Sequence, residues 1–91
     1  MINANELRIG NMVNWCNPLD NKNEIVAINN RDFDLIIEKN MGHLYSPIPL
    51  TPEVLERCGF VGDIPEWVMS VHEFQNWYYW NNNKKEISIY V

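Results

Sequence analysis

Through the first half of the chain, apolar residues recur in short runs separated by turn formers. Met12-Val13-Asn14-Trp15 places Val13 and Trp15 on one side of a first strand, and Glu24-Ile25-Val26-Ala27-Ile28 reads as a second. Phe33-Asp34-Leu35-Ile36-Ile37-Glu38 alternates Phe33, Leu35 and Ile37 as the inward face of a third, and His43-Leu44-Tyr45 is a short fourth. The links between them carry Pro18, Asp20 and Asn21, then Asn29-Asn30, then Asn40 and Gly42, all residues suited to tight turns. Residues 1–8 give a polar lead-in, and Asn5-Glu6-Leu7-Arg8-Ile9-Gly10-Asn11 reads as a short extended arm and a turn. Closely spaced short strands predict a small, strongly bent antiparallel sheet, whose apolar face needs a cover.

The cover follows in sequence. Pro47 and Pro49 hold an extended approach, because each fixes its own φ and keeps the preceding residue out of the helical region. Thr51 is then a good N-cap, Pro52 suits the first helical position and Glu53 favours the positive end of the helix dipole. Val54, Leu55 and Cys58 form an apolar stripe on a helix over residues 52–58, and Gly59 is placed to end it in a left-handed conformation. Residues 61–66 are irregular and Trp67-Val68-Met69 reads as a short strand. Ser70 and Glu73 make a capping-box pattern ahead of a helix over residues 71–80. At 100° per residue Val71, Phe74, Trp77 and Tyr78 share one face. Tyr79 and Trp80 fall outside it, Trp80 nearly opposite its centre. A turn at residues 81–85 leads to a last alternating strand, residues 86–91, with Ile87, Ile89 and Val91 on one side. The expected fold is a single small α+β domain spanning residues 1–91: a bent antiparallel sheet, a short helix, an aromatic helix and a C-terminal strand.

Composition sharpens this picture in a few places. Four Trp, four Tyr and three Phe in 91 residues are ample for a folded core. The net charge is −5, and the cations Arg8, Lys22, Arg31, Lys39, Arg57, Lys84 and Lys85 are scattered. A basic stripe of the kind that grips duplex phosphates is absent, which argues against a nucleic-acid partner. Cys16 and Cys58 stand far apart with no Cys-x-x-Cys spacing, and His43 and His72 stand alone. Two reduced, partly buried thiols are the expectation, with no metal and no cofactor. The start Met1-Ile2-Asn3-Ala4-Asn5-Glu6 lacks the basic and apolar regions of a secretion signal, and no run approaches the ~20 apolar residues that span a bilayer. A cytoplasmic protein with no membrane contact is expected.

The phrase Glu6-Leu7-Arg8-Ile9-Gly10-Asn11-x-Val13, followed by Pro47-Ile48-Pro49-Leu50-Thr51-Pro52-Glu53-x-Leu55-x-x-Cys58-Gly59-Phe60, resembles a family of small proteins of Bacteroidetes genomes and of the phages and prophages of that phylum. Val71-His72-Glu73-Phe74-Gln75-Asn76-Trp77-Tyr78-Tyr79 is similar to a third block of the same family. The likeness covers most of the chain and departs at Trp80 and Asn81, where small or apolar residues followed by Thr-Gly are expected. It implies a phage or mobile-element origin and no particular activity. The Ile9-Gly10-Asn11-x-Val13 opening is also similar to the first strand of small Src-homology-type or KOW-type barrels, which implies a barrel as the finer form of the sheet.

No catalytic constellation stands out. A Gly-rich phosphate loop, Gly-x-Ser-x-Gly and His-Glu-x-x-His are all missing. Cys58 falls at a helix C-terminus, which disfavours a thiolate, and His72 reads as a surface or capping residue beside Glu73. Asp32, Asp34 and Glu38 read as one solvated strand face. The remaining signal is the aromatic group Trp67, Trp77, Tyr78, Tyr79 and Trp80. Trp77 and Tyr78 belong to the core stripe, whereas Trp67, Tyr79 and Trp80 are the candidate interaction surface, since exposed aromatics anchor protein interfaces. The expected function is therefore a non-enzymatic accessory protein that binds a protein partner or itself. The alternative is a nucleic-acid accessory factor on a small barrel, whose signature would be cations converging beside exposed aromatics. A third reading, an acidic decoy for a DNA-binding enzyme, needs a contiguous acidic face that the dispersed acids do not form.

Overall fold

The inward alternation of Val13 and Trp15 belongs to β1 (Met12–Cys16), the centre of a three-stranded antiparallel sheet in a computed structural model that describes residues 2 and 4–90. β2 (Asn23–Ala27) pairs with β1 on one side, Met12 opposite Ala27 and Cys16 opposite Asn23. β3 (Tyr45–Ser46) pairs on the other, with Trp15 opposite Tyr45. The turn from β1 to β2 closes through Asn17 N–H on Lys22 O at 2.9 Å, with Asn21 in the left-handed region at φ 57°. At the other end Ile28 faces two residues of the opposing strand: its carbonyl accepts from Gly10 N–H at 2.7 Å and its N–H donates to Asn11 O at 2.8 Å. This bulge uses Gly10 at φ 93°. The sheet is open, and among the described residues no further strand closes it into a barrel.

The expected third strand is a helix. Asn29 caps α1 (Asn30–Ile37): its side chain accepts from Asp32 N–H while the Asp32 carboxylate accepts from Asn29 N–H, a reciprocal capping box. Phe33 and Ile36 turn toward the core, three positions apart, and Ile37 is exposed. Asp32, Asp34 and Glu38 therefore do not share a strand face. The expected fourth strand is also displaced. Gly42–Leu44 form a 3-10 turn, and only Tyr45–Ser46 join the sheet.

The helix after the proline segment, α2 (Pro52–Arg57), ends one residue short of the expected boundary and is capped as its sequence indicates. Thr51 Oγ1 accepts from Val54 N–H at 3.3 Å, and Gly59 follows the helix at φ 71°. The aromatic helix, α3 (Val71–Asn81), is capped by Ser70, whose hydroxyl accepts from Glu73 N–H. Residues 67–69 form no strand. The sheet-like contact instead comes at Pro49 and Ser70, flanked by Leu50 N–H on Met69 O and Val71 N–H on Ile48 O. The expected C-terminal strand is likewise absent over residues 86–90, Val91 lying outside the described residues. Ile87 and Ile89 are half-buried between exposed neighbours, so the alternation is genuine, and Ile89 packs on an apolar cluster rather than in a ladder.

Two apolar clusters flank the sheet. One gathers Val13, Ile28, Ile36 and Tyr45 with Ile2 and Leu7, so the lead-in is anchored in the core rather than a polar arm. The other joins Ile48, Val54 and Val71, with Met12 packed against it. Between the N-terminal segment and α3 runs a polar seam. Gln75 Oε1 accepts from Met12 N–H at 2.7 Å and its Nε2 donates to Gly10 O at 3.2 Å. Asn76 Nδ2 donates to Glu6 O at 2.7 Å, while its Oδ1 accepts from Asn11 Nδ2 at 2.9 Å and from Arg8 Nε at 2.8 Å. Gln75 and Asn11 are buried, so these bonds satisfy groups that would otherwise lose water without replacement.

Gln75→Ala strands the amide of Met12 and the carbonyl of Gly10. It is expected to cost about 2–3 kcal/mol, measured as a lower urea midpoint at unchanged m-value.

Candidate interaction surface

The C-terminal end of α3 presents Tyr79 and Trp80, and neighbouring segments fix their positions. Their rings meet edge to face at 5.3 Å between centroids. The guanidinium of Arg8 lies 3.9 Å from the centre of the Tyr79 ring, a cation–π contact. Arg8 is itself held by Glu86 at 2.6 Å, by Asn76 and by the carbonyl of Gln75. The ammonium of Lys84 stands 5.7 Å from the Trp80 ring centre. Lys84 reaches that place because Asn83 and Lys84 both adopt left-handed geometry, folding the tail back with Lys84 N–H on Tyr79 O. The result is a ladder of Arg8, Tyr79, Trp80 and Lys84, with Tyr79 half-buried and Trp80 64% exposed.

The rest of the aromatic group divides as the helical phase requires. Phe74 is fully buried, and Trp77 and Tyr78 are half-buried against Phe60, whose ring meets all three at steep angles. Trp67 is 60% exposed, but among the described residues its ring touches neither Tyr79 nor Trp80. The three candidate residues thus supply one coupled pair and one separate side chain. Sequence reasoning missed Arg8, Lys84 and Glu86 as parts of the surface. Lys84 is within one helical turn of Trp80 and was accessible to an argument from spacing, whereas Arg8 and Glu86 are brought in by tertiary structure.

Two other places carry chemistry. His72 is not at the surface; it is 1% exposed, with Nδ1 3.1 Å from Ser70 Oγ and Nε2 3.5 Å from Glu6 Oε2. Serine, histidine and carboxylate stand in a row, but a nucleophilic triad turns Nε2 to the serine and Nδ1 to the carboxylate, whereas here Nδ1 faces Ser70 and the buried Nε2 has no hydrogen-bond partner among the described residues. Here the Ser70 hydroxyl donates to Glu73 Oε1 at 2.8 Å and accepts from the Glu73 amide, and Ser70 is buried. This is the bonding of a helix cap, with the oxygen closed off from any substrate. The cysteines are free and half-buried; the described residues contain no cluster of three or more metal-ligating side chains.

The second place is a pocket of about 250 Å³ between the sheet and the first turn of α1, bordered by Trp15, Glu24, Arg31, Asp32, Leu35 and Tyr45. It was hidden from the sequence because residues 33–38 read as a strand. At its wall the Tyr45 hydroxyl donates to Asp32 Oδ1 at 2.6 Å. Burial first, then the hydrogen bond and negative charge of Asp32, push the Tyr45 phenol well above the ordinary tyrosine range. No protein-family model, no curated protein and no solved structure matches this chain. No helix among the described residues is long and apolar enough to cross a membrane.

The Tyr45 phenol keeps its proton in the folded chain at a pH where the unfolded chain, with an ordinary value of about 10, releases it. Its contribution to stability is therefore complete below pH ~10 and is lost as pH rises beyond it. Wild type and Tyr45→Phe should differ by a constant amount in denaturant titrations below that pH, and the difference should narrow above it.

Proposed function

We propose that this chain is a non-enzymatic interaction module that engages a protein partner through Tyr79 and Trp80. The observation behind this reading is the fixed exposure of Trp80. An indole left in water at the end of a helix, braced by a tyrosine that is itself clamped by Arg8, carries little conformational entropy to lose on binding. Aromatic anchors of this kind, flanked by charged groups such as Lys84 and Glu86, fit the centre and rim of a protein interface. Trp67, exposed but with its ring touching neither residue, stands outside this coupled pair. The resemblance of the sequence blocks to Bacteroidetes phage proteins supports a mobile-element accessory role and a cytoplasmic setting as part of the same proposal.

A specific observation also favours the second reading, nucleic-acid binding. Arg8 and Lys84 do stand beside Tyr79 and Trp80, the arrangement that stacks bases and offsets phosphates. Against it, Arg8 is neutralised by Glu86, and the chain carries a net charge of −5. The protein-facing reading is preferred on that balance. The finer idea of a barrel platform would require closure of the sheet by further strands.

Wild type and the Tyr79→Ala/Trp80→Ala variant, used as paired baits on one lysate, should differ by specific bands that Val61→Ala retains. Equal band profiles overturn the reading. A labelled single strand added at low and high salt separates the alternative: binding to wild type that weakens steeply with salt and is lost on Lys84→Ala would favour nucleic acid.

A further inference from the structure

The two ends of the β1–β2 ladder fix which backbone groups of β2 face outward. Asn17 N–H bonds Lys22 O at one end, and Ile28 N–H bonds Asn11 O at the other. Bonded and non-bonded pairs alternate along an antiparallel ladder. Counting inward from either end along the register gives the same result: Trp15–Glu24 and Val13–Val26 are the bonded pairs. The N–H and C=O groups of Asn23, Ile25 and Ala27 therefore point away from β1. β2 is an edge strand, paired on one side only.

Natural edges are commonly guarded by proline, charged side chains, a bulge or extreme shortness. Over Asn23–Ala27 β2 has five residues and no proline, its one charged side chain, Glu24, lies on the α1 face of the sheet, opposite to that of Ile25, and the bulge lies beyond its end at Ile28. At its centre Ile25 is 47% exposed on the sheet face away from α1. The strand is also self-complementary. Set antiparallel to a second copy about a twofold axis through Ile25, Asn23 falls opposite Ala27 and Ile25 opposite itself. Every residue in those pairs is one whose backbone groups face outward, so the register forms a full set of bonds. Glu24 falls opposite Val26, so the two carboxylates are not directly apposed. Ile25 meets its own copy and loses its exposure to water.

We infer that β2 is a self-pairing edge, through which two copies of this chain join their sheets into one continuous antiparallel sheet about a twofold axis at Ile25. Isologous contacts of this kind close after two subunits. The contact uses none of Arg8, Tyr79, Trp80 or Lys84.

The test uses the full chain in a Cys16→Ser/Cys58→Ser background with single cysteines at Ile25→Cys or Val61→Cys. Val61 is 96% exposed and serves as the reference. A short bismaleimide should convert Ile25→Cys to a covalent dimer and leave Val61→Cys monomeric; equal yields at the two positions overturn the proposal. In parallel, light scattering of the wild type should show mass rising with concentration toward twice 10.8 kDa. Ile25→Lys, which places a charge against its own copy, should return the mass to that of one chain with an unchanged far-ultraviolet circular dichroism spectrum. The Tyr79→Ala/Trp80→Ala variant should dimerise as wild type does. A wild type that stays monomeric at every concentration, or a dimer lost in that double variant and kept in Ile25→Lys, overturns the edge pairing.

Discussion

Two amide side chains on one helix hold the N-terminal segment in place, and the rest of the molecule depends on them. Gln75 and Asn76 bond the backbone at Glu6, Gly10 and Met12, doing for that stretch what a neighbouring strand would otherwise do. The order of consequences follows from position. With Met12 fixed, β1 enters the sheet in register. With Asn11 and Gly10 fixed, Ile28 meets its bulge. With Arg8 fixed by Asn76, its guanidinium lies over Tyr79 and reaches Glu86, which ties down the tail. The core on either side is modest, so a buried polar seam with every group partnered adds specificity that apolar packing alone does not supply.

Those same bonds explain what the sequence could and could not reveal. Local signals were legible where a cap and an apolar stripe agreed. Thr51-Pro52 opened α2, and Ser70 with Glu73 opened α3, close to where their chemistry placed them. The failure at residues 33–38 was also local. A β-branched, alternating run outweighed Asn29 and Asp32, whose spacing is that of a capping box in which aspartate stands for the usual glutamate. At the C-terminus the period of two gave the correct sidedness for Ile87 and Ile89, yet whether a partner strand existed was a tertiary matter. The seam lay beyond reach altogether, because Arg8 and Asn76 are 68 positions apart and nothing in a hydropathy pattern links them.

For the candidate surface, the helical phase of α3 was enough to set Tyr79 and Trp80 apart from Phe74, Trp77 and Tyr78. It did not reveal that Tyr79 is clamped and Trp80 left open, since the clamp comes from the other end of the chain. His72 shows the reverse lesson. A histidine beside an acid near a helix start reads as a surface group, whereas here the buried side of α3 extends past its apolar stripe to take in His72 and Gln75. The block around Arg8 meets α3 through that polar side, whereas the proline segment meets it through Ile48, Val54 and Val71 and the backbone bridge at Pro49 and Ser70.

The central claim is that the seam holds Trp80 as a rigid, exposed anchor. Nitrogen relaxation of the Trp80 indole N–H tests it most directly. The account predicts an order parameter near that of folded backbone, about 0.85, in wild type and a fall toward 0.6 or below in Arg8→Ala, with the backbone of α3 unchanged. An indole already mobile in wild type, or one indifferent to Arg8, would contradict it.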